Sequence, residues 1–209
     1  LIDEARLSFN SSISTLSATV DARHPLTAGH SLRVTEYSLL IARKLNLDRN
    51  DIEVLRLAAM LHDIGKIGIR DAVLLKDGVF TPEEREEMNT HPVKTKTILE
   101  KFHFPRNLRA VPEIAGRHHE KVNGKGYPDG LTGDRIPLGS KIIAVADVFD
   151  ALTSRREYPK YDGGQDDGSG GHAPDASHLN HPEGGREATL RWRSSAPSCA
   201  ASPGLSAST

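Results

Sequence analysis

Histidine and aspartate residues recur along the chain in a pattern suited to binding divalent metal ions. Imidazole nitrogens and carboxylate oxygens are accepted ligands of such ions, and one carboxylate can bridge two ions with its two oxygens. The pair His62-Asp63 ends the most apolar segment of the chain, and His118-His119 ends another apolar segment. The candidate ligands, in chain order, are His30, His62, Asp63, His91, His118, His119 and Asp147.

The ten histidines stand against a single cysteine. One cysteine excludes a disulfide framework and a thiolate-based metal cluster. If this protein holds metal, nitrogen and oxygen atoms must therefore hold it. Each histidine taken alone is weak evidence, because a lone buried histidine is more often a core residue than a ligand. The prediction depends on the whole set.

Two aspartates lie three residues apart in the otherwise apolar segment IIAVADVFDAL. A carboxylate buried without a partner costs several kcal/mol or more, so a buried aspartate here needs a cation. We expect Asp147 to face the interior and to meet such a cation, either a metal ion or a basic side chain. We expect Asp150 to face solvent.

Helical periodicity dominates residues 1–160 and predicts an all-α fold of about seven helices. In segment 31–46 the pattern places Leu32, Tyr37, Leu40, Ile41 and Leu45 on one apolar stripe. Capping signals support further helix starts at Asp48 or Asn50 and at Thr81, where Pro82 and Glu84 complete a capping box. The remaining predicted helices cover 92–103, 108–119 and 140–152, and the glycine-rich segment 123–139 is predicted as a long shaped loop.

The composition changes abruptly near residue 160. Residues 1–160 contain 46 Ile, Leu, Val or Phe residues, whereas residues 161–209 contain three. Such a segment cannot bury enough apolar surface to offset its ordering entropy, so 161–209 is predicted to be disordered. Residues 1–22 are predicted as an N-terminal linker helix of a longer protein, because the chain starts at Leu1 inside a helical pattern.

The overall charge gives no reason to expect nucleic acid or an anionic membrane as a partner. The net charge is −1, and the sequence pI is about 6.9. No apolar run approaches the ~20 residues of a membrane span, and no signal-peptide pattern opens the chain. We therefore expect a cytoplasmic protein.

The ordered set of histidines and aspartates resembles the HD superfamily of metal-dependent phosphohydrolases. Longer segments are similar to the HD-GYP family in particular, and Gly126, Tyr127 and Pro128 form its GYP triplet. The segments that carry this resemblance are HPLTAGHSLRV (24–34), HDIGKIGI (62–69), HHEKVNGKGYPDGL (118–131) and RIPLGSKIIAVADVFDALTSRREY (135–158).

The resemblance implies an HD-type helical bundle over residues 23–160 and a cyclic di-GMP phosphodiesterase. Such enzymes use metal-activated hydroxide to produce pGpG and/or GMP. The family pattern implies two divalent ions, most often iron or manganese. His30, His62, Asp63 and Asp147 would hold one ion. Asp63, as a bridge, would hold the second together with His91, His118 and His119.

Other family positions imply substrate and partner contacts. Lys66 matches a lysine that contacts the scissile phosphate, and Arg156 matches an arginine on the phosphate side. The loop with Gly126, Tyr127 and Pro128 matches the part that lines the nucleotide site. In the family, this loop is proposed to contact diguanylate cyclases or other signalling proteins.

The sequence departs from the family pattern in two places. Leu26 stands where three-metal members carry a ligating Glu, so two ions are expected. After Lys160 the closing helices of the family bundle are missing, and Pro159 replaces a usually basic residue. We hypothesise a frameshift shortly after residue 160, with a genuine disordered extension as the alternative. The other two reading frames of the gene would decide between them.

Two other functions remain open from the sequence. The chain could be an HD hydrolase of another cyclic dinucleotide or nucleotide, which the motifs do not distinguish from a cyclic di-GMP enzyme. It could also be a catalytically impaired module that binds a ligand or partner proteins. The presence of all seven predicted ligands argues against that last alternative, whereas the departure after Lys160 keeps it open.

Overall fold

The computed structural model describes residues 2–23 and 28–154, and over these residues the protein is helical. This confirms the predicted all-α fold. The described residues form eight α-helices, of which α4 is a single turn. Among the described residues, extended pairing is limited to one isolated bridge between Asn123 and Thr132. The helices are α1 (Ile2–Ala22), α2 (His30–Lys44), α3 (Arg49–Met60), α4 (Asp71–Leu74), α5 (Pro82–Met88), α6 (His91–Leu99), α7 (Val111–Ala115) and α8 (Leu138–Thr153).

Helix starts follow the predicted capping signals. Asp48 caps α3, because its side-chain oxygen accepts a hydrogen bond from the Asp51 N–H at 2.8 Å. Thr81 and Glu84 form the predicted reciprocal capping box at the start of α5. Segment 108–119 is less helical than predicted, since α7 ends at Ala115 and the following residues form turns. These turns carry His118 and His119.

Helix α3 forms the centre of the core, as its apolar sequence predicts. Its residues Val54, Leu55, Leu57, Ala58 and Ala59 are all buried. Helices α1, α2, α7 and α8 pack against it. The residues immediately after α3 therefore enter the interior of the bundle, and these residues include His62 and Asp63.

The predicted apolar stripe of α2 is wrong for three of its five residues. Leu32, Leu40 and Leu45 are 53%, 57% and 48% exposed. The buried face instead carries smaller residues, among them Val34, Ser38 and Ala42. Small side chains let α2 approach α3 and α8 closely, so this face is selected by packing distance rather than by hydrophobicity.

Helix α8 is apolar on more than its buried face. Ile143 and Ala146 lie in the core, whereas a second stripe of Val145, Val148, Phe149 and Leu152 is exposed. The hypothesised frameshift after residue 160, Pro159 and the predicted disordered segment 161–209 all fall outside the described residues. The proposed domain boundaries stay predictions.

Within residues 2–23 and 28–154, no helix combines the length and the apolar character needed to cross a bilayer.

Candidate metal centre

The predicted metal ligands converge from five separate parts of the bundle. His30 is the first residue of α2, and His91 is the first residue of α6. His62 and Asp63 lie in the turn after α3, His118 and His119 lie in the turn after α7, and Asp147 lies within α8. The fold thus brings all seven predicted ligands into one cluster, although up to 117 positions of sequence separate them.

Asp63 lies at the centre of this cluster, and its two carboxylate oxygens face different histidines. Oδ2 lies 3.4 Å from His62 Nε2 and 3.8 Å from His30 Nε2. Oδ1 lies 3.3 Å from His91 Nε2 and 3.9 Å from His118 Nε2. The carboxylate therefore lies between two halves of the cluster and belongs to both. The first half contains His30 and His62, and the second contains His91 and His118.

Each half has further donors close by. In the first half, Asp147 Oδ1 lies 3.3 Å from His30 Nε2. In the second half, the Nε2 atoms of His91 and His118 are 3.3 Å apart. The His119 ring lies 4.0 Å from the His118 ring, measured between centroids. Two groups of potential ligand atoms are compact enough to hold an ion each, namely His30, His62 and Asp63, and His91, His118 and His119.

Three of the histidines have their tautomers set by the backbone. The Nδ1 atoms of His62, His91 and His118 lie 2.7, 2.8 and 2.6 Å from the carbonyl oxygens of the residues three positions earlier. A carbonyl oxygen only accepts hydrogen bonds, so each Nδ1 must carry the proton. Each Nε2 is then left with a free lone pair that points into the cluster.

The protonation states of the cluster favour metal binding. Burial lowers the pKa of His62, and it lowers the pKa of His119 to about 3. For His118, burial and the neighbouring histidines hold the pKa well below its usual value. These imidazoles are therefore neutral at pH 7, as metal ligands must be.

The carboxylates of the cluster are ionised. Burial opposes ionisation of Asp63, but the positive charge of Lys66 outweighs it, and the pKa of Asp63 lies well below the usual value. Asp147 follows the same pattern, with the hydrogen bond from His30 lowering its pKa against the effect of burial. Neutral nitrogen donors and two anionic carboxylates fit the requirements of two divalent cations.

The pKa of His30 shifts in the opposite direction, because this histidine lies among the carboxylates. Burial works to lower its pKa, but the hydrogen bond with Asp147 and the charges of Asp63 and Asp147 raise it to about 9. This half of the cluster thus attracts positive charge strongly. A divalent cation bound there would displace the proton, since a metal ion and a proton compete for the same Nε2 lone pair.

Lys66 reaches the same carboxylate from the 3₁₀ turn that follows Asp63. Its Nζ donates a hydrogen bond to Asp63 Oδ2 at 2.6 Å. Burial opposes its positive charge, but Asp63 raises its pKa above the usual value, so the ammonium group persists at neutral pH. The predicted phosphate-contacting residue therefore lies at the cluster.

The turn that carries Asp63 and Lys66 is held against the start of α6. The buried Thr95 hydroxyl donates to the His62 carbonyl and accepts from the Gly65 N–H, both at 2.9 Å. A Cβ atom at Gly65 would lie 2.0 Å from the His91 carbonyl oxygen, so only glycine permits this approach. Thr95 and Gly65 thereby place Asp63 beside His91.

The GYP loop is held against the other side of the cluster by Glu120. The buried carboxylate of Glu120 accepts hydrogen bonds from the Asp129 and Leu131 N–H groups at 2.6 and 2.8 Å. The Tyr127 ring packs on the His119 ring at 4.8 Å between centroids. A Cβ atom at Gly126 would lie 2.3 Å from the Lys121 nitrogen, which explains why glycine opens the triplet. The peptide bond between Tyr127 and Pro128 is cis.

The structure corrects the expectation that Asp150 faces solvent. Asp150 is 1% exposed, and both its oxygens accept hydrogen bonds from the Arg33 guanidinium. The signal was present in the sequence, because the argument that a buried Asp147 needs a cation applies equally to Asp150. Arg33, Thr95 and Glu120 were also missed, since nothing in the sequence shows which distant residues they meet.

Arg156, the expected phosphate contact, and Leu26, the residue that replaces a third metal ligand, both lie outside the described residues. The assignment of the other residues to individual ions and to substrate stays a prediction.

The helical bundle and the histidine–aspartate cluster together define an HD-type domain. The chain belongs to the HD domain family, whose model matches residues 14–163. The resemblance to HD-GYP proteins is confirmed by curated relatives. The chain is 46% identical over 139 residues to the 3′3′-cGAMP-specific phosphodiesterase 3 of Vibrio cholerae, covering 66% of this chain and 30% of that protein. It is 42% identical over 146 residues to the cyclic di-GMP phosphodiesterase response regulator RpfG of Xanthomonas campestris, covering 70% of this chain and 38% of that protein.

Solved structures agree with this family. An HDG"Y"P protein from Bdellovibrio bacteriovorus is 26% identical with a TM-score of 0.50, covering 59% of this chain and 40% of that one. A cyclic GMP-AMP phosphodiesterase from V. cholerae shares the fold with a TM-score of 0.52 and 21% identity, covering 67% of this chain and 39% of that one. The chain spans about a third of the length of the two curated relatives described above.

Proposed function

We propose that this chain is a metal-dependent phosphodiesterase that hydrolyses cyclic di-GMP to pGpG and/or GMP. The observation that carries the proposal is the position of Asp63, whose two oxygens face two separate histidine groups. A carboxylate so placed is suited to bridge two divalent ions, and the relatives named as cyclic dinucleotide phosphodiesterases support the substrate class.

We infer the metal-holding roles from the donor set. His30, His62 and Asp147 would hold one ion, His91, His118 and His119 would hold the other, and Asp63 would bridge them. We infer iron or manganese, since mixed imidazole and carboxylate ligands suit both. Two such ions supply hydroxide near neutral pH and neutralise phosphate oxygens as charge develops in the transition state.

Other residues of the chain would bind and orient the substrate. The Lys66 ammonium lies at the edge of the cluster and carries a positive charge suited to a phosphodiester oxygen. Its present partner is Asp63, so cations bound at Asp63 would compete with that contact and leave Lys66 for the phosphate. Tyr127, packed on His119, offers an aromatic face next to the cluster for a nucleotide base. Arg156 completes the proposed phosphate contacts.

A second substrate, 3′3′-cGAMP, is favoured by a specific comparison. The V. cholerae relative named for that substrate is 46% identical to this chain. Both substrates contain the same two phosphodiester bonds and differ in one base, so the metal cluster serves either. The choice between them would depend on contacts with the base rather than on the metal ligands.

The proposal is tested by assaying the purified chain with both dinucleotides. The chain is loaded with Mn²⁺, or with Fe²⁺ under reducing conditions, and the products are separated by chromatography. We expect cleavage of cyclic di-GMP that chelators abolish, loss of at least 100-fold in Asp63→Asn, and an unchanged rate in Asp77→Asn, an exposed control. Bound metal without cleavage of either dinucleotide would reject the enzyme and favour the ligand-binding or partner-binding module.

We infer a cytoplasmic enzyme whose GYP loop contacts signalling proteins such as diguanylate cyclases. We also infer an N-terminal sensor or receiver module, which the relative named as a response regulator supports.

A further inference from the structure

His30 is oriented differently from the other buried histidines of the cluster. His62, His91 and His118 each direct Nδ1 to a backbone carbonyl three residues earlier. The Nδ1 of His30 instead lies 2.8 Å from Oδ2 of Asp150, a side chain on another helix. Among these four, His30 alone depends on a partner that a point mutation can remove.

His30 also differs from these histidines in the backbone that precedes it. His30 begins α2, and the preceding Gly29 adopts a left-handed conformation with φ of 68°. The chain therefore enters the helix from a sharp turn. Asp150 lies on α8 one helical turn after Asp147, so α8 presents carboxylates to both nitrogens of the same imidazole.

Arg33 holds Asp150 in this orientation. Its Nε lies 2.6 Å from Oδ1 of Asp150, and its Nη2 lies 3.0 Å from Oδ2. Its remaining Nη1 donates to the Ala28 carbonyl at 2.9 Å, which anchors the guanidinium over the turn before α2. This two-point contact compensates a buried carboxylate and leaves one fixed direction for its bond to His30.

We propose that Asp150 is a positioning residue for the metal ligand His30 and that Arg33 holds Asp150 in place. This inference rests on the proposed metal centre. A carboxylate that accepts the Nδ1 proton keeps that proton away from Nε2, fixes the ring orientation and strengthens Nε2 as a donor. Asp150 thereby acts on the ion through His30 without contacting it.

The arrangement makes the effect specific to one of the two ions. Asp150 contacts only the half of the cluster with His30, while backbone carbonyls orient His91 and His118 in the other half. Loss of Asp150 should therefore weaken one metal site and spare the second. A general loss of folding would instead weaken both sites together.

The test is a Mn²⁺ titration of the full chain by calorimetry, with bound metal counted after dialysis. We expect two sites in the wild type. In Asp150→Asn, we expect the affinity of one site to fall about 10- to 100-fold and the other to change less than twofold. Arg33→Met should produce a smaller fall at the same site. His119→Ala removes a ligand of the other half and should leave mainly the His30 site. Adding Asp150→Asn to His119→Ala should then lower the Mn²⁺ affinity of that site by the same factor as in the single variant.

A matched control is Glu53→Gln, which removes another arginine–carboxylate pair, formed with Arg56 at 2.7 Å near the start of α3. It should leave both affinities unchanged. Two wild-type Mn²⁺ sites that Asp150→Asn leaves unchanged, or weakens equally, would overturn the positioning role alone. A wild-type chain that binds no Mn²⁺ would overturn the proposed metal centre and this inference with it.

Discussion

Glu120 offers a sharp test of how the GYP loop is held at the cluster. The residue is 5% exposed, and each carboxylate oxygen accepts one backbone hydrogen bond, from Asp129 at 2.6 Å and from Leu131 at 2.8 Å. Glu120→Gln keeps the size of the side chain but replaces one acceptor oxygen with an NH₂ group. Of the two backbone N–H groups of Asp129 and Leu131, one then faces the NH₂ donor, and the other donates to the neutral amide oxygen.

The magnitude follows from these two contacts. A hydrogen bond to a charged group contributes about 1.5–3 kcal/mol, and one between neutral groups about 1 kcal/mol. Losing one charged bond and weakening the other should lower the free energy of unfolding by about 2–5 kcal/mol. Part of the loss should be local, because the loop can open without global unfolding.

The assay combines urea unfolding with amide hydrogen exchange. We expect a lower urea midpoint in Glu120→Gln and faster exchange at the Asp129 and Leu131 amides. Glu86→Gln, an exposed control on α5, should change stability by less than about 0.5 kcal/mol. A Glu120→Gln protein with wild-type stability and wild-type exchange at both amides would refute the reasoning that this carboxylate holds the loop. Activity should also fall, because the loop carries the Tyr127 ring that packs on His119.

Two further predictions concern the cluster and the turn behind it. His119 has a pKa of about 3 in the folded protein and about 6.5 when unfolded, so its contribution to stability is lost as the pH falls below 6.5. In the metal-free protein, protonation linked to this residue should lower the free energy of unfolding by about 2 kcal/mol between pH 7 and pH 5. Urea titrations should show that the free energy of unfolding depends less steeply on pH in His119→Asn than in the wild type. An unchanged slope would contradict the low pKa of His119. Thr95→Val removes both hydrogen bonds to His62 and Gly65 without changing the side-chain shape. It should cost about 2–3 kcal/mol and weaken Mn²⁺ binding, whereas a stable variant with normal Mn²⁺ affinity would show that this hydroxyl does not position Asp63.

The fold class was predictable because helical signals are local. Periodicity, the Asp48 cap and the Thr81 capping box each depend on residues within one or two turns, and the structure contains them all. The face of α2 was not predictable by the same means. Periodicity shows which residues share a face, but the buried face depends on the small side chains that let α3 and α8 approach.

The candidate site divides in the same way. The candidate ligands could be identified from the sequence, because the family resemblance depends on short motifs that contain them. The chemistry of imidazole and carboxylate is also intrinsic to each residue. Asp150 shows the limit of that reading. Its partner Arg33 is 117 residues away, and an apolar helix does not reveal which of its two aspartates meets solvent.

The sequence by itself determined that this protein is helical, that nitrogen and oxygen must hold any metal, and which seven residues are candidates to do so. Only the tertiary structure decided that the two oxygens of Asp63 face two different histidine groups. It also decided that backbone carbonyls orient three of the histidines, while a side chain from α8 orients His30. The physical reason is that ligand chemistry belongs to single residues, whereas the direction of a lone pair is set by contacts between helices far apart in the chain.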